Sequence, residues 1–385
     1  MDNNSIYIQP AIKFYASFDE ALSADPEWDQ YLFHREEKWE FKDLFNFKVF
    51  ADSFGIDLGT SNTLIYAKNK GIILNMPSVL AISSNDEKIL AVGEEAKKMI
   101  GKTPQNILAV RPLEDGVIAD FDITQKMFEY FISKIQPGHP LVGPKMVIGV
   151  PSRATKVEKK AVIDITTQVG ARQVHLVDEP VAAVIGANLP ISEPLGNMIV
   201  DIGGGTSEVA IISLHGVVIS NSTRIAGNEM DQAIIQYLKE NYNLFIGEQM
   251  AEWIKLSIGC ACSPPQEKRI KVKGRSLIDG FPAEIEISSK EVSESFSSVI
   301  SAICNMIETA LEQSPPELAG DIMERGICLT GGGACLGELD KYISEKTHLS
   351  VKVASDPLFS VALGTGKLLE DKELLSKVEI TSSIE

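Results

Sequence analysis

"GIDLGTSNT" at residues 55–63 and "VDIGGGTSEVA" at residues 200–210 follow one plan: a short apolar run, an aspartate, then a turn of glycine and hydroxyl residues. The flanking segments have the length and apolar content of strands, so each turn reads as a strand–turn–strand. Glycine lets the backbone approach a ligand closely and take positive φ, and successive N–H groups in a tight turn form a concave anion site. Ser, Thr and Asn add side-chain donors, and a nearby carboxylate holds Mg²⁺, usually through water. Asp57, Gly59, Thr60, Ser61 and Asn62 supply this set, and Asp201, Gly203, Gly204, Gly205 and Thr206 supply it again. Two such hairpins face to face would clamp one nucleoside triphosphate from both sides. A single Asp-x-Gly-Gly is usually a plain turn. Two of them, with a third glycine turn at Gly331, Gly332 and Gly333, are far more specific. No GxxxxGK[ST] occurs, so this is not a Walker A loop.

The 385 residues suffice for two or more packed domains, and a 44% hydrophobic composition supports a sizeable core. A net charge of −17 and a pI near 4.9 argue against general nucleic-acid binding, which needs a basic surface. The cysteines, Cys260, Cys262, Cys304, Cys328 and Cys335, are odd in number and sit in apolar contexts, and are expected as reduced core residues of a cytoplasmic protein. Cys260-x-Cys262 has no second Cys or His pair at zinc spacing. The N-terminus lacks the basic-then-apolar pattern of a signal peptide, and no run of about 18 apolar residues exists to span a membrane.

Residues 1–50 are acidic and rich in aromatics, which disordered tails usually lack, so the segment is expected to dock on something. From residue 54 strands and helices alternate. "QKMFEYFISKI" reads as a helix, and "MVIGVP" (146–151) as a buried strand. "TKVEKKAVIDITTQVG" reads as a helix with a Thr155/Glu158 capping box, a stop at Gly170, and an inner face of Val157, Ala161, Val162, Ile165 and Val169. "QVHLVDEP" is a strand entering a turn, and "VAAVIGANL" a short helix. The style then repeats: three strands over 196–225, two helices, a charged hairpin over 266–288, a long helix over about 290–313, and strand–turn–helix in "GICLTGGGACLGEL". A last helix is expected near 360–370, followed by a frayed "KVEITSSIE".

Taken in order, "GIDLGTSNT", "VIGVPSRATKVEKKAV", "LVDEPVAAVIG", "VDIGGGTSEVA", "TRIAGNEMDQAI", "AEWIKLSIG" and "LTGGGACLGELD" resemble the ATPase superfamily of actin, heat-shock chaperones and sugar kinases. Within it the chain is similar to the MreB family of bacterial actins, particularly at "VRPLEDGVIADF" (110–121) and "RIAGNEMDQAI" (224–234). The likeness covers about residues 54–370. It implies an α/β, duplicated ribonuclease H-like actin fold with a nucleotide cleft between two domains. The first would be 54–196, with a smaller subdomain at about 80–124 and completed by 366–381. The second would be 197–365, with a smaller subdomain at about 229–288, and residues 1–53 would be an extension.

The resemblance also implies roles. ATP and Mg²⁺ would lie in the cleft, with Asp57 and Asp201 orienting the hydrated metal. Glu179 would orient the water that attacks the γ-phosphate, and Thr206 would help place it. The plainer reading of Glu179 is a helix N-terminal carboxylate before Pro180. Phosphoryl transfer relies mainly on positioning and charge, so one carboxylate and one hydroxyl would suffice. Gly227, Glu252, Lys255 and the turn Gly331–Ala334 would meet the nucleoside end. The plainer reading of Glu252 and Lys255 is an ion pair on one helix face, and Trp253-Ile254 between them departs from the family pattern. The implied function is a filament that assembles with ATP, hydrolyses it slowly and organises wall synthesis or division. Its partners would be itself, wall or division proteins and the inner face of the cytoplasmic membrane, with no nucleic acid.

Membrane contact would fall on Leu141 and Val142 in "GHPLVGPK", or on Phe45, Phe47 and Phe50 of "WEFKDLFNFKVF" (39–50). The latter alternates better as a strand than it forms an amphipathic helix, and its acidic surroundings oppose anionic lipid. Lys268, Arg269, Lys271, Lys273 and Arg275 are expected as the solvated face of a hairpin. A chaperone ATPase would need a β-rich substrate domain after residue 370, and a sugar kinase an aspartate base where Glu179 stands. Other bacterial actins, for DNA segregation or organelle positioning, would share fold and chemistry.

Overall fold

The computed structural model describes residues 52–85, 87–136, 142–262 and 266–380. Phe45, Phe47, Phe50, Leu141, nearly all of the extension at 1–53 and the end of the tail lie outside the described residues.

The first part of the chain runs β1 (Phe54–Leu58), β2 (Asn62–Ala67), β3 (Gly71–Pro77), β4 (Leu80–Ser83), β5 (Ile89–Val92), α1 (Glu94–Met99), β6 (Ile107–Val110), β7 (Leu113–Glu114), β8 (Val117–Ile118), α2 (Phe121–Ile135), β9 (Lys145–Val150), α3 (Lys156–Gln168), β10 (Gln173–Asp178) and α4 (Glu179–Gly186). The second runs β11 (Asn197–Ile202), β12 (Ser207–Ser213), β13 (Gly216–Thr223), α5 (Gly227–Tyr242), β14 (Leu244–Phe245), α6 (Glu248–Ile258), β15 (Arg269–Ser276), β16 (Pro282–Ser288), α7 (Ser289–Ser295), α8 (Ser297–Glu312), α9 (Pro316–Arg325), β17 (Ile327–Thr330), α10 (Leu339–Thr347), β18 (Val351–Val353), α11 (Ser360–Glu370) and α12 (Lys372–Val378).

Two five-stranded sheets have the same topology. One is ordered β10-β9-β1-β2-β3 and the other β18-β17-β11-β12-β13. In each, an antiparallel meander is extended by two parallel strands on the far edge of its first strand. Buried parallel strands read as continuous apolar runs, as "MVIGV" and "NMIV" do. Each half also carries a three-stranded sheet, β5-β4-β6 and β14-β15-β16.

Between the large sheets lie α4 and α11, in an apolar cluster that includes Val147, Val181, Val184, Ile199, Ala210 and Leu368. Small residues let these helices touch. A Cβ on Gly186 would lie 1.8 Å from the Ser360 carbonyl oxygen, and one on Gly364 1.8 Å from that of Ala182.

The Thr155/Glu158 capping box forms as expected. Lys268 to Arg275 alternate outward along β15, where Arg269 and Lys271 meet Glu286 and Glu284 of β16. Several expectations are corrected. Val157 is 78% exposed, because it precedes the turn of α3 that reaches the core. The helix at 290–313 is two, broken at Phe296, whose fully buried side chain fixes a non-helical backbone between α7 and α8. The tail is docked as far as Ile380: the Ile380 N–H donates to the Leu176 carbonyl (2.9 Å), and Glu379 meets His175 Nδ1 at 2.7 Å. Cys335 is exposed, and Cys262 and Cys328 are half-buried.

The close helix crossing gives a stability prediction. Gly364→Val should lower the unfolding free energy by about 2–3 kcal/mol through overpacking. Gly320→Ala, in a helix with nothing within 4 Å of the new methyl group, should raise it by roughly 0.5–1 kcal/mol. Urea unfolding midpoints of the two variants report both.

Candidate functional site

The two duplicated turns meet. Gly59–Ser61 joins β1 to β2 and Gly203–Thr206 joins β11 to β12. A Cβ on Gly204 would lie 1.9 Å from Ser61 Oγ, and one on Gly205 3.1 Å from Thr60 Oγ1. The second turn is closed by the Gly203 N–H donating to the Thr206 carbonyl (2.8 Å). Helix α5 begins against it, with the N–H groups of Gly227 and Asn228 donating to the Gly203 and Gly204 carbonyls. The third turn follows β17. Gly331 has φ 82°, and a Cβ there would sit 2.3 Å from Asp201 Oδ1.

Residues outside the sequence-derived set support these turns. Ser78 is fully buried; its hydroxyl donates to the Gly59 carbonyl (2.7 Å) and meets Thr63 Oγ1 (2.9 Å), which separates β3 from β4. Asp115-Gly116 is the two-residue loop of the β7–β8 hairpin, both residues with positive φ as a type I′ turn requires. The Gly116 N–H donates to Thr60 Oγ1 at 2.8 Å.

Four carboxylates converge beside the turns. Asp57 and Asp201 end the two first strands, Glu179 opens α4 on the Gly149 backbone, and Glu208 stands opposite Asp201 in the β11–β12 pairing. Burial pushes Asp57 up to about 7, with the charge of Asp201 adding to it. Burial pushes Asp201 to about 6, against a hydrogen bond from Thr330. Glu179 is raised well above its ordinary value by burial, then by the charges of Glu208, Asp57, Asp201 and Asp178. Burial and Asp201 push Glu208 to about 8. Thr206 lies in the same wall: a Cβ on Gly116 would be 3.5 Å from Thr206 Oγ1 and 3.1 Å from Pro151 Cγ.

At the other end, Lys255 and Glu252 are not paired with each other. Lys255 Nζ donates to the Gly227 carbonyl (2.7 Å) and pairs with the buried Asp231 (2.9 Å). Glu252 instead reaches Lys97 of α1, at 2.8 Å. Gln249 adds hydrogen bonds to the Lys97 and Ile100 carbonyls, and Lys102 Nζ donates to Gln249 Oε1 (3.1 Å). These contacts tie the two smaller sheets together across the mouth of the cleft.

The structure thus places together Asp57, the two facing turns, Glu179, Thr206, Asp201, Gly227, Lys255 and Gly331–Ala334, and it adds Glu208. The only signal for Glu208 in the sequence is a charge inside the otherwise apolar "SEVAII". Of the proposed membrane residues, Val142 alone is described, and it is half-buried. Among the described residues no helix is long and apolar enough to cross a membrane. Nor do three His, Cys, Asp or Glu side chains form a ready-made metal cage. Two carboxylates flanking glycine turns suit a hydrated cation held mainly by a polyphosphate.

The family description "MreB/Mbl protein" matches residues 51–377. The chain belongs to the MreB/Mbl family. It is 49% identical over 327 residues to the cell shape-determining protein MreB of Escherichia coli strain K12, covering 84% of this chain and 94% of the relative. It is 44% identical over 333 residues to the cell shape-determining protein Mbl of Bacillus subtilis strain 168, covering 86% of this chain and all of the relative. The crystal structure of MreB5 of Spiroplasma citri bound to ADP superposes with a TM-score of 0.81 at 36% identity, covering 85% of this chain and 98% of that one. The expected actin-like fold is therefore present, and the chain belongs with the cytoskeletal proteins of cell shape.

The carboxylate cluster predicts a pH dependence. Folded-state values near 7 for Asp57, 6 for Asp201 and 8 for Glu208 lie above the unfolded values. Their contribution to stability is complete below about pH 4 and is lost progressively from there until pH passes the folded values of about 6 to 8. The melting temperature of the ligand-free protein should therefore fall as pH rises from about 5 to about 8, and Asp57→Asn with Asp201→Asn should flatten that slope, most of all below about pH 7. A melting temperature that rises over the same interval would count against it.

Proposed function

We propose that this protein is an actin-like ATPase that binds Mg-ATP in the cleft, assembles into filaments, and hydrolyses the nucleotide slowly. Under the cytoplasmic membrane such a filament would organise cell-wall synthesis or division. The observation that carries the reading is the direct apposition of the Gly59–Ser61 and Gly203–Thr206 turns, each with its aspartate. A solved relative of the same family, MreB5 of Spiroplasma citri, is bound to ADP in one structure and to AMPPNP in another.

In this reading the backbone donors and hydroxyls of the two turns take the phosphates, and Asp57 and Asp201 hold waters of the hydrated Mg²⁺. That ion would neutralise phosphate charge and the two carboxylates together. Gly227, Lys255, Glu252 and Gly331–Ala334 take the nucleoside. Glu179 accepts a hydrogen from the attacking water, and Thr206 helps to place it. Each turn belongs to a different half, so the γ-phosphate is shared between them, and its loss changes what holds the halves in register. Hydrolysis then acts as a timer on the filament.

Sedimentation and electron microscopy with Mg-ATP, Mg-ADP or no nucleotide, each with and without liposomes, test this. Filaments that need Mg-ATP and collect on liposomes are expected; a version lacking residues 1–50 separates an N-terminal anchor from one at Leu141-Val142. Glu179→Ala should keep nucleotide binding and filaments while phosphate release slows by roughly 100-fold or more. Protein that binds ATP yet stays monomeric in every condition would overturn the filament reading.

The cross-cleft tie yields a separate expectation. Lys97 and Glu252 are each about a quarter to a third exposed, so their pair is worth about 1 kcal/mol or less. Lys97→Ala should therefore speed nucleotide release by no more than about fivefold, measured by displacement of a fluorescent nucleotide.

A further inference from the structure

Glu208 is only 3% exposed, and neither of its carboxylate oxygens has a hydrogen-bond partner of good geometry; the Ser152 N–H and hydroxyl, which lie nearest, offset only part of the cost of its burial. Strand alternation sets its direction. Ser207 turns the other way, its hydroxyl donating to the Ile225 carbonyl (2.7 Å). Glu208 pairs across the ladder with Asp201 and so shares the face of the sheet that carries the cleft aspartate. Ser152, Asp178 and Glu179 are the other polar groups near it. The Ser152 hydroxyl also lacks a partner of good geometry. A buried carboxyl group so weakly partnered is costly. A strand that only had to pack beside Val209, Ala210, Ile211 and Ile212, all fully buried, would be more stable with an apolar residue there. The group therefore awaits a partner that arrives with the ligand.

Resting on the reading of the cleft as an ATPase site, we infer that Glu208 is a second acceptor for the attacking water, holding one of its hydrogens while Glu179 holds the other. An in-line attack needs a lone pair of the water aimed at phosphorus, so both hydrogens must be directed elsewhere. One acceptor leaves the water free to turn about a single hydrogen bond; two acceptors fix it. The water oxygen bonds to the γ-phosphorus as the bond to the β,γ-bridging oxygen breaks. The bridging oxygen leaves with the electron pair as part of ADP. One water hydrogen passes as a proton to Glu179, and the other stays on the new phosphate, directed by Glu208. Glu179 opens α4 directly after β10 of one sheet, and Glu208 lies at the start of β12 in the other. The water is then fully oriented only when the two halves are in register, which links closure of the cleft to the rate of hydrolysis.

Glu208→Gln tests this by three readouts on the full chain: melting temperature without nucleotide, affinity for a fluorescent ATP analogue, and the single-turnover hydrolysis rate. The expected result is an unchanged or raised melting temperature, affinity within about twofold, and hydrolysis slowed roughly 10- to 100-fold. A merely structural carboxylate predicts the opposite pattern, with melting temperature and affinity falling together, and that result, or failure to fold, overturns the inference. Hydrolysis at the unsubstituted rate with binding intact overturns it as well, while leaving the ATPase reading in place. If the unsubstituted protein binds no ATP, both the ATPase reading and this inference fall.

Discussion

The charge of Asp201 acts on Asp57 across the cleft, and the rest of the fold can be understood as the means of holding those two carboxylates near each other. Each ends the first strand of its own sheet, where the chain must turn. Burial raises both groups toward neutral pH, and the charge of Asp201 adds to the rise at Asp57. The ion pairs near the cleft, Lys255 with Asp231 and Lys97 with Glu252, involve other carboxylates. In the proposed reading, the placement that weakens the empty protein is what a bound metal–polyphosphate complex would offset.

Much of this was legible in the sequence, and the reason is local. A strand–turn–strand with Asp-x-Gly is written in about ten consecutive residues, and its second copy needs no long-range information to recognise. The capping box at Thr155 and Glu158 is equally local, and so is the alternation of charge along Lys268 to Arg275. The solvated face of β15 follows from period two alone, because one register satisfies both the lysines and Val272.

What escaped was decided at a distance. The plainer reading of Glu252 pairs it with Lys255, three residues away on the same helix, but it is taken by Lys97, 155 residues earlier in the chain. The tail read as frayed because its own composition is polar, yet the edge of β10 offers the Leu176 carbonyl and His175 to it. Phe296 lies in an otherwise continuous helical pattern, and its core position breaks the helix there. Glu208 looked like one polar residue in a strand until its neighbours were known, since neither burial nor the lack of a partner is a property of sequence.

The two connections between the halves differ in kind, and that difference decides how the cleft can move. At α4 and α11 the contact is mainly apolar, with Lys367 of α11 bonded to the last carbonyls of α4, and is set by backbone-to-backbone approach at Gly186 and Gly364. Packing of this sort is not continuously deformable. At the mouth, the ties from α1 to α6 are long side chains with solvent access, individually weak and screened by salt. Thermal motion should therefore open the mouth long before it disturbs the helix crossing, so the crossing acts as the hinge and the Lys97–Glu252 contact as the catch. Asp57, Asp201, Glu179 and Glu208 lie nearer the hinge, where a small rotation moves atoms least. Their mutual geometry is thus the best protected in the cleft, as a site that works by positioning requires.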